Sequence, residues 1–513
     1  GLLGGWALAA GLKALFAQFG LDLSSTPLVF SLRTVIVAYA VGIAITLVAA
    51  YLPARRASRI PPVAAMRDDV ALPESSIRRR MLTGAGLGVV GIGLMASGLA
   101  GSGGSGATLV GIGVFGILVA VALMSPVIGR PVLHALGAAY RRLFGTVGTL
   151  ATENSLRNPR RTAATASALM IGLTLVSTMS VIGASVNASI ESSVDKQFRT
   201  DYVMTNPVGI PFSARFAEQA RRLDGVGSVA EMQYLPAKVG RSSSMVVAAD
   251  ASRLAAVFHL KVRQGTLDLG RGQVALSQKG ATAHHARIGD HLTLAFPSGR
   301  QRVEVAGIYA DSVVLSQPLA PLSLVSDAHL PRFDNTVAVN AAPGASLSAV
   351  GQELRRLVKD VPTVNVQSKA EFSQAQRAQV DQLLYLIYGL LGLAIVIAVL
   401  GIVNTLALSV IERTREVGLL RAVGLSRRQL RRMVRLEAIA IAVLGAVLGI
   451  VMGLGFGVVL QRAVADQGIT DLAIPGVRLV AFVVVAAVVG VLAAVFPARR
   501  AARLNVLQAI TTE

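Results

Sequence analysis

The sequence contains no cysteine, which excludes a disulfide framework and a thiolate metal site and leaves the redox compartment unread. Charge is scarce: 15% of the 513 residues are Asp, Glu, Lys or Arg, 53% are hydrophobic, and the mean hydropathy is +0.61. So little charge over so many apolar residues points to an integral membrane protein. Catalytic constellations are lacking as well, since no Ser/His/Asp arrangement or carboxylate pair stands out. His284, His285 and His291 cluster near Asp290, but the spacing fits no two-His helix motif and reads more readily as a surface turn than as a metal centre. The run GSGGSG at Gly101 to Gly106 has no Lys-Ser/Thr after it to reach phosphate and hold magnesium, so it is expected to be a flexible hairpin. The expectation is a chain that is no enzyme and holds no metal or cofactor of its own.

What the chain does have is basic charge, a formal +21, and its placement argues against nucleic acid. The intervals Pro53 to Arg80, Val127 to Arg161, Val410 to Arg435 and Pro497 to Glu513 carry 24 Lys/Arg and 7 Asp/Glu, whereas Ser185 to Ala378 carries 21 and 16. Between them lie eight apolar stretches of bilayer length: Leu2 to Phe19, Val29 to Leu52, Met81 to Leu99, Ala107 to Val127, Thr162 to Ala184, Leu383 to Val410, Leu436 to Leu460 and Arg478 to Phe496. Alternating these from a cytoplasmic N-terminus puts every Arg-rich connector on one side, as the positive-inside rule requires. The chain starts at Gly1 and enters an apolar helix at once, which reads as an N-terminally incomplete protein and not a signal peptide.

The densest basic connector, IERTREVGLLRAVGLSRRQLRRMVR from Ile411 to Arg435, holds eight arginines. Glu412, Arg415 and Glu416 are expected on a helix running through Leu420 and Arg421, with Gly424 as its stop. Ser426 and Gln429 read as a capping box that starts the next helix. The segment is either a docking element or a headgroup anchor; an anchor has no need of the two glutamates. Beyond it, Gly445, Gly449, Gly453 and Gly457 recur every fourth residue on one helix face, a small-residue pattern for close packing against a helix of the same chain or of a second copy. The sequence also repeats at long range. LPARRASR at Leu52 to Arg59 matches FPARRAAR at Phe496 to Arg503, an offset of 444 residues that also places Gly1, Gly5 and Gly11 on Gly445, Gly449 and Gly455. Parallel duplication of a membrane unit is a common way to build a transporter core.

The segment Ser185 to Ala378 has nearly balanced charge. Strand-like runs at Asp201 to Thr205, Met245 to Ala249, Gln273 to Leu276, His291 to Ala295, Arg302 to Tyr309 and Thr363 to Gln367 are interleaved with helical runs at Ser213 to Leu223 and Ser346 to Val358. A compact α+β domain outside the cytoplasm is expected. Its flanks, Ile182 to Phe198 and Glu371 to Leu384, continue the neighbouring spans as a helical stalk.

The order span, external domain, span, ERTREVGLLRAVGLSRRQL, two spans and FPARRAARLNVLQAI resembles the FtsX/MacB-like ABC permeases, and NSLRNPRRT from Asn154 to Thr162 resembles the basic segment that opens such a unit. The resemblance covers Asn154 to Glu513. It implies five parts: the tail of a first membrane unit at 1–70, a two-span linker at 71–153, a basic segment and first span at 154–184, the extracytoplasmic domain at 185–378, and a three-span unit at 379–513. Within the last, residues 411–424 are implied to contact a separate ATP-binding subunit, a dimer that supplies ATP and magnesium, through Glu412, Arg413, Arg415, Glu416, Gly418, Arg421, Ala422 and Gly424. The family further implies a bacterial plasma membrane, both termini of this chain in the cytoplasm, contact with membrane lipids and an optional extracellular protein partner. Function divides between export or extraction of an amphiphile, such as a lipid, lipoprotein or peptide antibiotic, and transmission of a signal to a cell-wall hydrolase. An ion-coupled transporter is disfavoured, because Lys13 is the main ionisable residue well inside a span.

Overall fold

The computed structural model describes residues 2–18, 31–58, 75–101, 106–157, 159–240, 242–311, 315–465 and 468–503. Gly1, Phe19, Arg59, Asn158, most of the Gly101 to Gly106 run and everything after Arg503 lie outside them. The chain divides into a membrane unit, Gly1–Val181, Gln382–Val459 and Pro475–Glu513, and an outer unit, Ile182–Asp381 and Leu460–Ile474.

The first half of the membrane unit is helical: α1 (Leu2–Gln18), α2 (Leu32–Ala57), α3 (Ser75–Ala100), α4 (Gly106–Ile128), α5 (Arg130–Arg157) and α6 (Pro159–Gln197), the last running on into the outer unit. Helices α3 and α4 form a hairpin held together at glycines. A Cβ on Gly91 would fall 2.9 Å from the Gly113 carbonyl oxygen, and one on Gly98 2.7 Å from that of Gly106, so the two backbones touch as small residues allow. Helix α5 was not expected. Gly145 breaks it with φ 57° and ψ −134°, a conformation open to glycine, and the chain folds back so that Gly137 meets Thr152. Leu133, Tyr140, Val147 and Ala151 are its buried apolar side chains, while its arginines stay at the surface; the basic connector is therefore an amphipathic helical hairpin.

The outer unit is a mixed sheet with helices on it. In chain order it comprises β1 (Tyr202–Thr205), β2 (Phe212–Ser213), α7 (Arg215–Ala220), β3 (Val226–Val239), β4 (Ser242–Ala249), α8 (Ala251–Val257), β5 (Val262–Gly265), β6 (Gln273–Ser277), α9 (Gln278–Ala283), β7 (His291–Phe296), β8 (Gly299–Tyr309), β9 (Leu319–Ala320), α10 (Ser323–Asp327), β10 (Phe333–Asp334), β11 (Thr336–Ala341), α11 (Leu347–Leu357) and β12 (Asn365–Ser368). Ten strands run in the order β12-β1-β11-β3-β4-β9-β6-β8-β5, with β7 pairing β3 and β8. Side chains alternate as a pleat demands: Tyr202 and Met204 pack with Val350 and Leu354 of α11, and Val203 between them faces Phe198 and Met232. The central strand, β3, carries a proline. Pro236 sits between the β11 ladder, which ends at Met232, and the β7 ladder, which begins at Lys238, where no second neighbour needs its missing N–H. Residues Leu460–Ile474, expected with the membrane unit, pack with the outer one because α6 serines cap their backbone. Ser189 Oγ accepts from Asp471 N at 3.0 Å and Ser185 Oγ from Ala473 N at 3.1 Å.

The last helices are α12 (Lys369–Glu412), α13 (Thr414–Ala422), α14 (Arg427–Val464) and α15 (Gly476–Ala502). A capping box starts α12, with Ser368 N donating to Glu371 Oε2 at 2.7 Å and Glu371 N to Ser368 Oγ at 3.3 Å. Seven described helices, α2, α3, α4, α6, α12, α14 and α15, are long and apolar enough to cross a membrane; the eighth expected span, α1, has a shorter apolar stretch, Leu2–Ala14. The repeat carries through to the elements. Shifted by 444 residues, α2 begins at 476 and ends at 501, within one residue of α15.

Helix α14 is buried over most of its span and packs on α6 through its glycines. A Cβ on Gly445 would meet the Ala166 carbonyl oxygen at 2.6 Å, on Gly449 that of Met170 at 2.7 Å, on Gly453 the Ser177 Cβ at 2.4 Å, and on Gly457 the Val181 Cβ at 2.6 Å. All four contacts are on α6, advancing by four, seven and four residues, one or two helical turns per step, as two closely packed helices do. Gly490 of α15 in turn approaches Ala442 and Ala438 of α14.

Candidate coupling site

The two long helices α12 and α14 are joined by fourteen residues, Arg413 to Ser426, that hold their own shape. Arg413 leaves the helical path with φ −105° and ψ 21°, so α12 stops at Glu412 and α13 sets off as a separate helix. At its far end Gly424, φ 112°, adopts a conformation that costs other residues strain. Gly424 N donates to the Arg421 carbonyl at 3.2 Å and Leu425 N to the Leu420 carbonyl at 3.0 Å, the paired bonds of a Schellman stop. Two residues later the next helix is capped: Ser426 N donates to Gln429 Oε1 at 2.9 Å and Gln429 N to Ser426 Oγ at 3.3 Å.

The eight residues implied to dock an ATPase have three placements. Glu412 and Arg413 root the segment in the membrane unit. Arg161 of α6 donates from Nη1 to Glu412 at 2.8 Å and from Nη2 to the Thr405 carbonyl at 2.9 Å. Arg413 donates from Nη2 to Asn154 Oδ1 at 2.7 Å and from Nε to Glu416 at 2.9 Å. Asn154, Arg161, Thr405, Ser409, Arg413 and Glu437 share one small cavity, so α5, α6, α12, α13 and α14 meet at a polar node. Gly418 has the second placement: with Val417 it is buried on the inner side of α13. The third is the outer side, where Arg415, Glu416, Ala422 and Gly424 are exposed and Arg421 is half-buried.

The structure adds residues to that face that sequence reasoning missed. Leu419 is 60% exposed and Val423 83%, an apolar pair one turn apart flanked by Arg415 and Glu416. Together they make a small exposed apolar patch on the helix, and their i, i+4 spacing was readable once the buried face was known. Asn154 and Arg161 were also missed as partners of the segment, because they stand about 250 residues before it in the sequence. Behind α13, Arg432 of α14 lies 5.8 Å from the Phe144 ring of α5, and Tyr140 donates to the Leu436 carbonyl at 3.3 Å. The α5 hairpin thus braces the base of α14.

Among the described residues no three His, Cys, Asp or Glu side chains converge on one point as a metal centre would need, and Asp290 accepts from Arg287 N at 2.7 Å within its turn.

Comparison with known proteins matches residues 388–506 to the FtsX-like permease C-terminal domain and residues 162–357 to the MacB-like periplasmic core domain. ABC transporter permease YtrF of Bacillus subtilis is 34% identical over 133 residues, 24% of this chain and 30% of that protein. Macrolide export ATP-binding/permease protein MacB 1 of Yersinia pestis is 27% identical over 187 residues, 35% of this chain and 28% of that protein. The chain thus spans less than a third of the length of these curated relatives. The periplasmic region of MacB from Actinobacillus actinomycetemcomitans superposes with a TM-score of 0.29 at 15% identity, over 36% of this chain and 96% of that one. With apolar helices enough for many crossings and a periplasmic-type domain between two of them, this is a membrane protein with an extracytoplasmic domain. In both matched segments, the membrane helices near its end and the domain outside the membrane, the chain is similar to FtsX/MacB-like ABC transporter permeases.

Proposed function

We propose that this chain is the membrane subunit through which a separate ATP-binding subunit, acting as a dimer with ATP and magnesium, moves the extracytoplasmic domain to export or extract an amphiphile. The observation that carries the reading is α13: a capped helix that offers Arg415, Glu416, Leu419, Ala422 and Val423 outward while Glu412 and Arg413 tie its root to three membrane helices. A lipid-headgroup anchor has no use for an exposed carboxylate or for a fixed stop at Gly424. A load placed on α13 passes through the Arg413–Asn154 contact into α5 and along the chain into α12, which the Arg161–Glu412 contact ties to α6; α6 and α12 are also the helices that continue into the outer unit. The relative that combines ATP-binding and permease parts in one protein supports the pairing. On this reading the connectors bearing α13 and the α5 hairpin are cytoplasmic, the termini of this chain share that side, and the membrane is the bacterial plasma membrane.

The test is co-purification with ATP-binding subunits encoded alongside it, followed by ATPase assay in lipid. Glu416→Arg reverses a charge on the outward face, and Leu419→Asp removes the apolar centre without touching the node. Both are expected to lower complex recovery and ATPase activity together by about tenfold or more, as loss of a buried interface anchor does. Undiminished complex and activity in both variants would return the segment to a headgroup anchor.

A further inference from the structure

The outer unit holds a cavity of about 440 Å³, within the range of small-molecule sites, where the ends of α6 and α12 meet the sheet. Its floor is apolar: Phe198, Val203, Met232, Phe258, Leu315 and Phe372. Phe198 packs edge-on to Phe258, centroids 4.8 Å apart, and against Phe372 at 5.3 Å, so one aromatic cluster joins the end of α6, the end of α8 and the start of α12. Its rim is polar but neutral, with Asn206, Asn335, Gln367, Gln376 and Gln379. Among the described residues no charged side chain lines it, in a domain where charged residues are common.

The asparagines fix what kind of polar group the site can meet. Asn206 Oδ1 accepts from Val208 N at 2.9 Å and Asn335 Oδ1 from Tyr234 N at 2.8 Å. With both oxygens committed to backbone N–H groups, the amide orientation is set and the Nδ2 groups are what remain for a ligand. The walls therefore offer donors beside hydrocarbon, and offer no cation to a phosphate or carboxylate.

We infer that this cavity binds a single fatty-acyl chain on an uncharged head, its ester or amide carbonyl accepting from Asn206 and Asn335 and its tail lying on the phenylalanine floor. This deepens the amphiphile reading above and rests on it for the role of the bound chain. Because α6 and α12 both line the cavity, its contents set the spacing of the two helices there.

The test uses the full chain in nanodiscs, without ATP or a partner subunit, and a monoacylglycerol carrying a diazirine near its acyl terminus. After photolysis, cross-linked peptides are mapped by mass spectrometry. Expected are adducts on the peptides containing Phe198, Met232 and Phe258, competed by plain monoacylglycerol and far less by free fatty acid or phosphatidylglycerol. Asn335→Asp keeps the acceptor for Tyr234 N but removes the donor, and is expected to weaken labelling by about tenfold, the equivalent of one lost hydrogen bond. Met232→Trp, which fills the floor, is expected to abolish it. Labelling confined to the membrane helices, equal competition by the charged lipids, or cavity labelling indifferent to both variants would overturn the inference. Since the readout needs no ATPase, its failure is distinct from failure of the α13 variants.

Discussion

At the scale of single residues, Asp334 is the group whose surroundings make the sharpest demand. Its side chain is fully buried at the end of β10, accepts from Arg332 Nη1 at 2.7 Å, and has a second oxygen with no partner among the described residues. Burial first, and the Glu231 charge after it, push its pKa up to about 6 from 3.8, against the pull of Arg332 and Arg221. The folded state therefore holds this proton more tightly than the unfolded chain does. Stability from this source is fully present below pH 4 and falls as pH rises to about 6, by about 3 kcal/mol for two pKa units. Thermal unfolding of the purified chain, followed by circular dichroism, should show a higher midpoint at pH 5 than at pH 7. Asp334→Asn should flatten that difference. Glu231, 7% exposed and shared by Arg221, Arg253 and Arg332, completes a buried charge cluster. None of it was legible in the sequence, because its members lie between 221 and 334 and each looks like ordinary surface charge alone.

At the scale of elements, local chemistry was readable and its partners were not. The Ser426 and Gln429 pair and the Gly424 stop are short-range signals, complete within a few residues, and the chain adopts both. The helical spans were equally plain, since an apolar run of bilayer length has few alternatives. Strand β3 escaped notice: its buried run from Val229 to Gln233 lacks alternation and Pro236 argues against a central strand, an objection that only the gap between its two neighbouring ladders removes. The glycines of α14 announced close approach, but α6 as the approaching helix came from the fold. Their role is testable against an internal control. Gly453→Val would drive a side chain into Ser177 and the Thr174 carbonyl, and is expected to lower stability by about 1–3 kcal/mol. Gly455→Val, on the same helix with nothing within 4 Å, should leave the melting temperature in detergent unchanged.

At the scale of the whole molecule, α6 and α12 are 39 and 44 residues long, about 58 and 66 Å, roughly twice the hydrocarbon thickness of a bilayer. In the outer unit they run antiparallel and are tied by Lys369 to Asp195, by Arg377 Nη1 to Glu191 at 3.0 Å, and by Asn187 Nδ2 to Asp381 at 3.0 Å. The sequence showed that these stretches are helical continuations of spans, but not that they pair. The absence of cysteine makes the pair easy to probe. With Glu191→Cys and Arg377→Cys, a bifunctional maleimide should clamp the helices together. The clamped complex is expected to keep its ATP-binding subunit and to lose transport of the amphiphile, scored against either single variant given the same reagent. Transport at the uncross-linked rate would show that these helices carry no motion the function requires.

The three cross-ties also set the register of the pair. Sliding α12 by one turn, about 5.4 Å, in one direction leaves Arg377 opposite Asn187 and Asp381 opposite Gly183, with Lys369 against Glu191 as the one charge pair kept. In the other direction Arg377 finds Asp195, but Asp381 is set against Glu191 and Lys369 runs past the last turn of α6. Like charges one turn out of register repel as strongly as the native pairs attract. Sliding in either direction therefore exchanges three cross-ties for fewer, and the register seen here is the one in which the two helices are tied most closely.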